Sequence, residues 1–303
     1  MGNSVVVTGA TSGIGLATAV GLAESGYDVI GTARTEEAAQ LLHDAAKDAG
    51  AQVRHVCCDV ADATSTVRAF TEIATMTGGG PWAVVNNAGF AQPGAIEDVT
   101  DDAVRAQLEV NLIAPARIAR LVLPAMRQRR SGRIINISSI SGRITLPFVG
   151  WYAASKHGLE AITDALRIEV ARFGVRVVLI EPGGYGTPIW QRGLDRMPDP
   201  AGSAYKQSYG LAGQVLNRAG ELPPPLPVVR VVRKALAAHR PRDRYLVGRE
   251  ARSAAALEAL LPTWLGDYAK GAAVGLQQPP PLLAPILTRL ARRRTAGRPD
   301  RAP

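Results

Sequence analysis

Short runs of apolar and β-branched residues recur along this chain, and segments with helical apolar spacing separate them. The runs are too short for helices, which predicts buried strands at residues 3–8, 29–33, 53–57, 82–86, 133–138, 175–181 and 245–247. Helical spacing predicts helices at about 35–49, 62–77, 101–130, 152–173 and 227–239, besides one that starts just after residue 15. Alternating strands and helices predict an α/β fold with a doubly wound parallel sheet, whose ligands bind at the carboxyl ends of the strands.

A glycine-rich turn follows the first predicted strand directly and opens the first helix. Its sequence is GATSGIG, residues 9–15. The glycines let the backbone turn tightly and approach a pyrophosphate, whose charge is favoured by the free N–H groups at the start of the helix. The spacing is G-x3-G-x-G, which differs from the commonest dinucleotide fingerprint. The flanking strand and helix nevertheless predict a nucleotide site on a Rossmann-type sheet.

Two residues in the helix predicted at 152–173 suggest proton transfer. Tyr152 and Lys156 share one helix face, so the ammonium can favour the phenolate of a phenol whose ordinary pKa is about 10. A tyrosine tuned in this way exchanges protons near neutral pH. Ser139 adds a hydroxyl that can orient a carbonyl, and its neighbour Ser138 competes for that role. Together with a nucleotide site, these residues indicate a ketone/alcohol redox centre.

In these motifs the chain resembles the short-chain dehydrogenase/reductase superfamily. Besides the motifs above, the resemblance rests on Cys58-Asp59-Val60, Asn86-Asn87-Ala88-Gly89, Asn111, Pro182-Gly183 and Thr187, in the family's order to about residue 190. A weaker similarity, to the hydroxysteroid- and retinol-dehydrogenase-like branch, continues to about Arg252. The resemblance implies that the cofactor contacts are Gly9, Thr11, Ser12, Gly13, Ile14, Gly15, Arg34, Asp59, Val60, Asn87, Ala88, Gly89, Tyr152, Lys156, Pro182, Gly183 and Thr187.

The resemblance also implies a role for each catalytic residue. Tyr152 is expected to act as the general acid in reduction and the base in oxidation, with the nicotinamide supplying the hydride. Lys156 is expected to lower the pKa of the tyrosine and to hold the nicotinamide ribose. The family's interval selects Ser139 over Ser138 to bind the substrate oxygen, and Asn111 is expected to position a proton-relaying water. Taken in isolation, Asn111 would instead be interpreted as a helix residue that satisfies local backbone groups, and the other site residues favour the catalytic role. His157 is expected to pack beside the site without acting.

The choice of cofactor depends on the end of the second predicted strand. An acidic residue there would bind the adenosine ribose of NAD(H), but the position is Ala33. Arg34 follows, and its guanidinium can pair with the 2′-phosphate of NADP(H). Ser12 weakens this preference, because many NADP-preferring relatives carry a basic residue at that point. The sequence favours NADP(H), with NAD(H) as the alternative.

The substrate is expected to be a small hydrophobic alcohol or carbonyl compound. A flap at about 187–225 mixes aromatic and basic residues, and further apolar residues flank Tyr152. Two other functions stay open: a nucleotide-sensing regulator, which has no need of the Ser139–Tyr152–Lys156 set, and a non-redox dehydratase or epimerase, which the compact chain fits less well. The resemblance implies a homo-oligomer such as a dimer.

Composition suggests one catalytic domain (1–250), a helical extension (251–278) and a Pro/Arg-rich tail (279–303). Leu257, Leu260 and Leu265 are spaced to bury one helix face against the body. The tail carries a net charge of +5 from residue 289 onward, out of +9 for the chain. A solvated, poorly ordered end is the favoured reading, and weak contact with an anionic membrane surface is the alternative.

Charge and residue spacing also predict several absences. No specific nucleic-acid partner is expected. The sequence shows neither a signal-like start nor an apolar run long enough to cross a membrane. The expected location is therefore the cytoplasm, with peripheral membrane contact as the alternative. The cysteines, Cys57 and Cys58, are adjacent and face opposite ways, so neither a mutual disulfide nor a C-x-x-C site is available. The histidines show no ligand spacing, so no metal site is predicted.

Overall fold

A computed structural model describes residues 3–217 and 222–277 of the chain. Its strands are β1 (Ser4–Val7), β2 (Asp28–Ala33), β3 (Arg54–Cys57), β4 (Ala83–Asn86), β5 (Gly132–Ile137), β6 (Val175–Pro182) and β7 (Arg244–Val247). They form a single sheet in the order β3-β2-β1-β4-β5-β6-β7, and every pairing is parallel. The predicted single-domain, doubly wound α/β fold is confirmed.

The described helices lie between and after the strands. They are α1 (Gly13–Ala23), α2 (Glu36–Asp48), α3 (Ala63–Met76), α4 (Asp101–Leu108), α5 (Ala114–Gln128), α6 (Gly150–Val170), α7 (Ile189–Leu194), α8 (Lys206–Asn217), α9 (Leu226–Ala237), α10 (Arg249–Leu260) and α11 (Thr263–Ala273). Short 3₁₀ turns occur at Ile140–Gly142, Ala171–Phe173 and Pro200–Gly202.

The five central strands of the sheet are buried on both faces, which explains why they form nearly continuous apolar runs in the sequence. In β1, Val5 and Val7 point into one core, which α1, α2 and α9 complete. Val6 points the opposite way into a second core formed with α3 and α5. Since β1 pairs with β2 on one side and β4 on the other, the chain reverses its direction of winding at the end of β1. Such a reversal opens a crevice for ligands.

The helix predicted at 101–130 is divided in the structure. A π-helical turn at Glu109–Ile113 separates α4 from α5, and Asn111 lies within it. Single π turns inside helices often occur at functional sites. Apolar periodicity did not reveal this break, because the residues on both sides keep helical spacing.

The helical extension packs differently from the prediction. Leu257 and Leu260 were expected to bury a face of α10, but they are 56% and 81% exposed. Ala251 is the residue of α10 that is buried. The extension instead contacts the body beyond α11, where Val274 joins Phe148, Tyr209 and Ala212 in a small cluster. The tail prediction for 279–303 lies outside the described residues.

None of the described helices is long and apolar enough to cross a membrane.

Candidate active site

The glycine turn between β1 and α1 is shaped by two close backbone approaches. Gly9 has a φ of 65°, and a Cβ there would lie 3.0 Å from the Cα of Ala88. A Cβ at Gly15 would overlap the carbonyl oxygen of Gly9 and the side-chain nitrogen of Asn87. Ser12, at the start of α1, is extended and forms no side-chain cap. The first N–H groups of α1 therefore stay available to an anion, as a dinucleotide pyrophosphate requires.

Thr8 joins the glycine turn to the loop after β4, a role that the sequence reading had not assigned. Its hydroxyl accepts hydrogen bonds from the backbone N–H groups of Asn87 and Ala88, both at 3.0 Å. The Asn87 amide in turn donates to the carbonyl of Thr8 at 2.9 Å and to that of Gly9 at 3.3 Å. These bonds hold the predicted cofactor segments at 9–15 and 87–89 side by side.

The remaining predicted cofactor residues surround this pair of loops. Arg34 is exposed after β2, and Asp59 is exposed after β3, where its carboxylate accepts from the N–H of Ala61. Val60 is buried in the core and acts in packing. Pro182 ends β6, and the N–H of Gly183 donates to the carbonyl of Val247 at 2.8 Å.

The flap approaches the glycine turn from the opposite side. Thr187 lies against Gly13, where an added Cβ would come within 3.3 Å of it. Arg192 of α7 donates from Nη1 to the hydroxyl of Ser12 at 3.2 Å. The fold thus brings a guanidinium to the turn position at which the sequence showed no basic residue. Sequence spacing gave no signal for this contact, because the two residues are far apart in the chain.

Tyr152, Ser139 and Lys156 come together at the carboxyl end of β5 and the start of α6. Burial raises the pKa of Tyr152 to about 12, while its hydrogen bond with Ser139 acts in the lowering direction. The ammonium of Lys156 lies 5.8 Å from the centre of the tyrosine ring. The structure therefore joins the predicted proton donor to the predicted carbonyl-orienting hydroxyl.

Burial acts against the predicted lowering of the Tyr152 pKa by Lys156, and that effect of Lys156 stays a prediction. Lys156 is buried and donates to the carbonyl of Ile137 at 3.0 Å. Burial lowers the pKa of Lys156 itself to about 8, against the opposing effect of Glu160. Desolvation is the largest influence on both pKa values, because burial disfavours the charged form of each side chain. The raised pKa favours the protonated form of Tyr152 at neutral pH.

Glu160 connects the lysine to a group of charged residues beneath the site. Its carboxylate pairs with Arg244, which also donates to Glu181 at 2.9 Å. Arg143 binds the fully buried carboxylate of Glu181 through two hydrogen bonds of 2.6 and 3.0 Å. Burial raises the pKa of Glu160. The sequence reading missed this network, because its members come from α6, β6, β7 and the loop after β5.

Asn111 is held by three hydrogen bonds. Its amide nitrogen donates to the carbonyl of Phe90 at 2.9 Å and to the hydroxyl of Ser155 at 3.0 Å, and its oxygen accepts from the N–H of Phe90 at 3.1 Å. These contacts fix the loop after β4 to the catalytic helix. The expected role in positioning a water stays a prediction.

Two bystander residues separate clearly from the site. The hydroxyl of Ser138 is oriented towards Glu160, whereas that of Ser139 contacts Tyr152. His157 is exposed on α6, and its Nδ1 contacts the carbonyl of Ala153 at 2.9 Å within the same helix. Ser139 is thus the serine that the fold brings to the tyrosine.

A family model described as short chain dehydrogenase matches residues 3–197. Among curated proteins, the chain is 40% identical over 223 residues to the uncharacterized oxidoreductase YusZ of Bacillus subtilis, covering 71% of this chain and 78% of that protein. It is 32% identical over 280 residues to retinol dehydrogenase 7 of Rattus norvegicus, covering 87% of this chain and 86% of that protein.

Solved structures show the same relationship. A short-chain dehydrogenase from Streptomyces avermitilis superposes with a TM-score of 0.74 at 28% identity, covering 92% of this chain and 98% of that one. A metagenomic short-chain oxidoreductase in complex with NADP gives a TM-score of 0.57 at 32% identity, covering 59% of this chain and 81% of that one. The protein therefore belongs to the short-chain dehydrogenase/reductase family, in its retinol-dehydrogenase-like branch, and is an NAD(P)-dependent oxidoreductase.

Proposed function

We propose that this protein interconverts a hydrophobic alcohol and its carbonyl compound with NADP(H) as cofactor, and that Tyr152 transfers the proton. The observation that carries the proposal is the meeting of Tyr152, Ser139 and Lys156 beside the cradle formed by the glycine turn. A nicotinamide cofactor bound in this cradle supplies or accepts the hydride.

In the direction of reduction, Tyr152 donates its proton to the substrate oxygen. Its pKa of about 12 keeps the hydroxyl protonated at neutral pH. Ser139, in contact with the tyrosine hydroxyl, donates a hydrogen bond to the same oxygen as negative charge develops there. In oxidation the proton and hydride transfers reverse: Tyr152 starts as the tyrosinate and takes the proton of the alcohol.

Lys156 supports this transfer as a buried positive charge. Its ammonium lies over the tyrosine ring and close to the end of β5, where it donates to the carbonyl of Ile137. A cation at this distance favours the tyrosinate that forms when the proton leaves. The same ammonium suits the binding of the cofactor's ribose hydroxyls.

The preference for NADP(H) rests on two arginines. Arg34 is exposed directly after β2, where the adenosine ribose binds in folds of this type, and Ala33 places no carboxylate beside it. Arg192 adds a second guanidinium at Ser12. Two acidic residues occupy the first turn of α2. Glu36 is turned towards His55 and Cys57, with contacts of 2.8 and 3.1 Å, and Glu37 contacts Thr35. The NADP held by the metagenomic relative supports this choice.

The aromatic side chains near Tyr152 favour an apolar substrate. Trp190 of the flap lies edge-on to the tyrosine ring, with ring centres 5.3 Å apart. Phe148 is buried in the left-handed region, at a φ of 64°, and packs against Tyr209 at 5.0 Å. Holding a bulky residue in this conformation costs about 1–3 kcal/mol, a type of strain that clusters at functional sites. The relative named retinol dehydrogenase 7 supports a hydrophobic alcohol.

A panel of alcohols and ketones, followed by NADPH absorbance and product analysis, tests the reaction. We expect turnover with hydrophobic members of the panel. Cofactor binding without turnover on any of them would favour the sensor, and a changed product without any change in NADPH would favour a dehydratase or epimerase.

The cofactor preference has its own test. Replacing Ala33 with Asp and Arg34 with Leu should shift kcat/KM towards NAD(H). A charge-assisted hydrogen bond is worth about 1.5–3 kcal/mol, which corresponds to roughly 10–150-fold in kcat/KM for NADPH. A wild-type enzyme that already prefers NADH would contradict the assignment without any variant.

A further inference from the structure

A group of metal-ligating side chains lies at the edge of the sheet, apart from the Ser139–Tyr152–Lys156 set. His55 and Cys57 alternate along the edge strand β3 and so point to the same face. Helix α2 packs on that face and contributes Glu36 from its first turn and His43 from its third. Within the described residues, one ligand atom each from Glu36, His55 and Cys57 falls within 4.8 Å of the others.

The spacing of these side chains lies within a small side-chain adjustment of a metal site. Nε2 of His55 lies 2.8 Å from one oxygen of Glu36, and the thiol of Cys57 donates to the other oxygen at 3.1 Å. In a tetrahedral zinc site with bonds of about 2.0–2.3 Å, ligand atoms are separated by roughly 3.3–3.8 Å. Because Glu36 is largely exposed, its side chain is free to make the small rotation that opens this space.

We propose that Glu36, His55 and Cys57 bind a zinc-class divalent cation, with water completing the coordination. Cys57 binds as a thiolate and releases its proton to solvent. His55 binds through Nε2, and Glu36 binds through one carboxylate oxygen. The bound ion ties the edge strand to the beginning of α2.

His43 is the positioning residue of this site. Its Nε2 lies 2.8 Å from Nδ1 of His55, on the side of the ring opposite Glu36. A proton on Nδ1 of His55 can therefore be donated to His43, which leaves Nε2 as the metal ligand. Histidine ligands commonly depend on such a partner, which fixes both the tautomer and the ring orientation. His43 itself stays outside the coordination shell.

The donor set determines which cations fit. One sulfur, one nitrogen and one carboxylate oxygen suit Zn²⁺ and its spectroscopic substitute Co²⁺. Mg²⁺ and Ca²⁺ require oxygen ligands, so they should not compete. Cys58 cannot replace Cys57, because it is buried on the opposite face and packs with Val56 and Val60.

Titration of untagged, reduced, full-length protein with Co²⁺ tests the site. We expect a thiolate-to-cobalt charge-transfer band in the near ultraviolet that saturates with added Co²⁺, disappears on addition of Zn²⁺ and persists with excess Mg²⁺. Cys57→Ala should abolish the band. The matched control, Cys58→Ala, should retain it, since that thiol points into the core.

Two further variants test the geometry. Glu36→Gln should weaken Co²⁺ binding. Because this substitution lies on α2 and leaves β3 unchanged, it tests the site even if Cys57→Ala folds poorly. His43→Ala should weaken binding by about 10–100-fold without removing the charge-transfer band, because it removes an orienting partner and no ligand. His157→Ala, on α6, should bind like the wild type.

Several outcomes would overturn the proposal. These are wild-type protein with no thiolate-to-cobalt band, a band that survives in folded Cys57→Ala, and a band that is lost in folded Cys58→Ala. The readout does not use turnover, so it is independent of the reaction proposed above.

Discussion

Replacing Tyr152 with Phe removes the proposed proton donor and keeps nearly everything else at the site. The ring is 5% exposed and would keep its edge-on contact with Trp190. The lost hydroxyl contact is with Ser139, and a neutral hydrogen bond contributes about 0.5–1.5 kcal/mol to stability. A fold stabilised by about 5–15 kcal/mol therefore remains folded.

The catalytic loss should be far larger than the loss of stability. General acid–base catalysis contributes about 10²–10⁴-fold, or roughly 2.7–5.5 kcal/mol of the barrier at about 1.36 kcal/mol per tenfold change. We expect kcat of Tyr152→Phe to fall by that factor. The dissociation constant for NADPH should change little, because the hydroxyl acts on the substrate.

The assay is a pre-steady-state measurement of NADPH consumption. Deuterated NADPH shows whether hydride transfer limits the rate. Tyr185→Phe is the matched control, because Tyr185 is similarly buried at 6% exposure but belongs to the core cluster around α9. It should retain near wild-type kcat. If Tyr152→Phe kept more than about a tenth of kcat while chemistry was rate-limiting, Tyr152 would not be the acid.

Three further predictions follow from the site. For reduction, kcat/KM should decline above pH about 8, where buried Lys156 loses its proton. Glu160→Gln should move this decline to lower pH, because it removes the negative charge that raises the pKa of Lys156. A decline at unchanged pH would exclude this coupling. Trp190→Ala should raise KM for hydrophobic substrates more than it changes the affinity for NADPH in fluorescence titration, and equal effects would place Trp190 outside the substrate pocket. Gly15→Ala should lower the free energy of unfolding, measured by chemical denaturation, by about 1–3 kcal/mol and should weaken NADPH binding, because the added methyl overlaps Gly9 and Asn87. Gly50→Ala, whose methyl would lie in open space, should leave NADPH binding unchanged.

The sequence by itself determined the order and type of the elements in the sheet. Every described strand was predicted to within two residues at each end. The signal was strongest in the five central strands, because strands buried on both faces are marked by apolar runs that end at polar or glycine residues. The glycine turn and the pair Tyr152 and Lys156 were likewise readable, since their geometry depends on residues close together in the chain.

Only the tertiary structure decided the properties that depend on burial and on distant segments. Local spacing placed Lys156 beside Tyr152, but desolvation inside the fold raised the pKa of the tyrosine instead of lowering it. The leucines of α10 have helical spacing, yet no surface of the described body lies over Leu257 and Leu260. Periodicity indicates that a helix has an apolar face and carries no information about what covers it.

Contacts between distant segments were equally hidden in the sequence. Arg192 and Ser12 meet because the flap folds back over the start of α1. The histidines looked scattered in the sequence, because a helix supplies His43 and a strand supplies His55. Spacing in a sequence reports neighbours within one element, whereas ligand sets and charge networks are assembled by packing between elements. The sequence alone therefore determined the fold and the residue types that indicate a ketone/alcohol redox centre. Packing between elements decided the charges around the site and which side chains contact it.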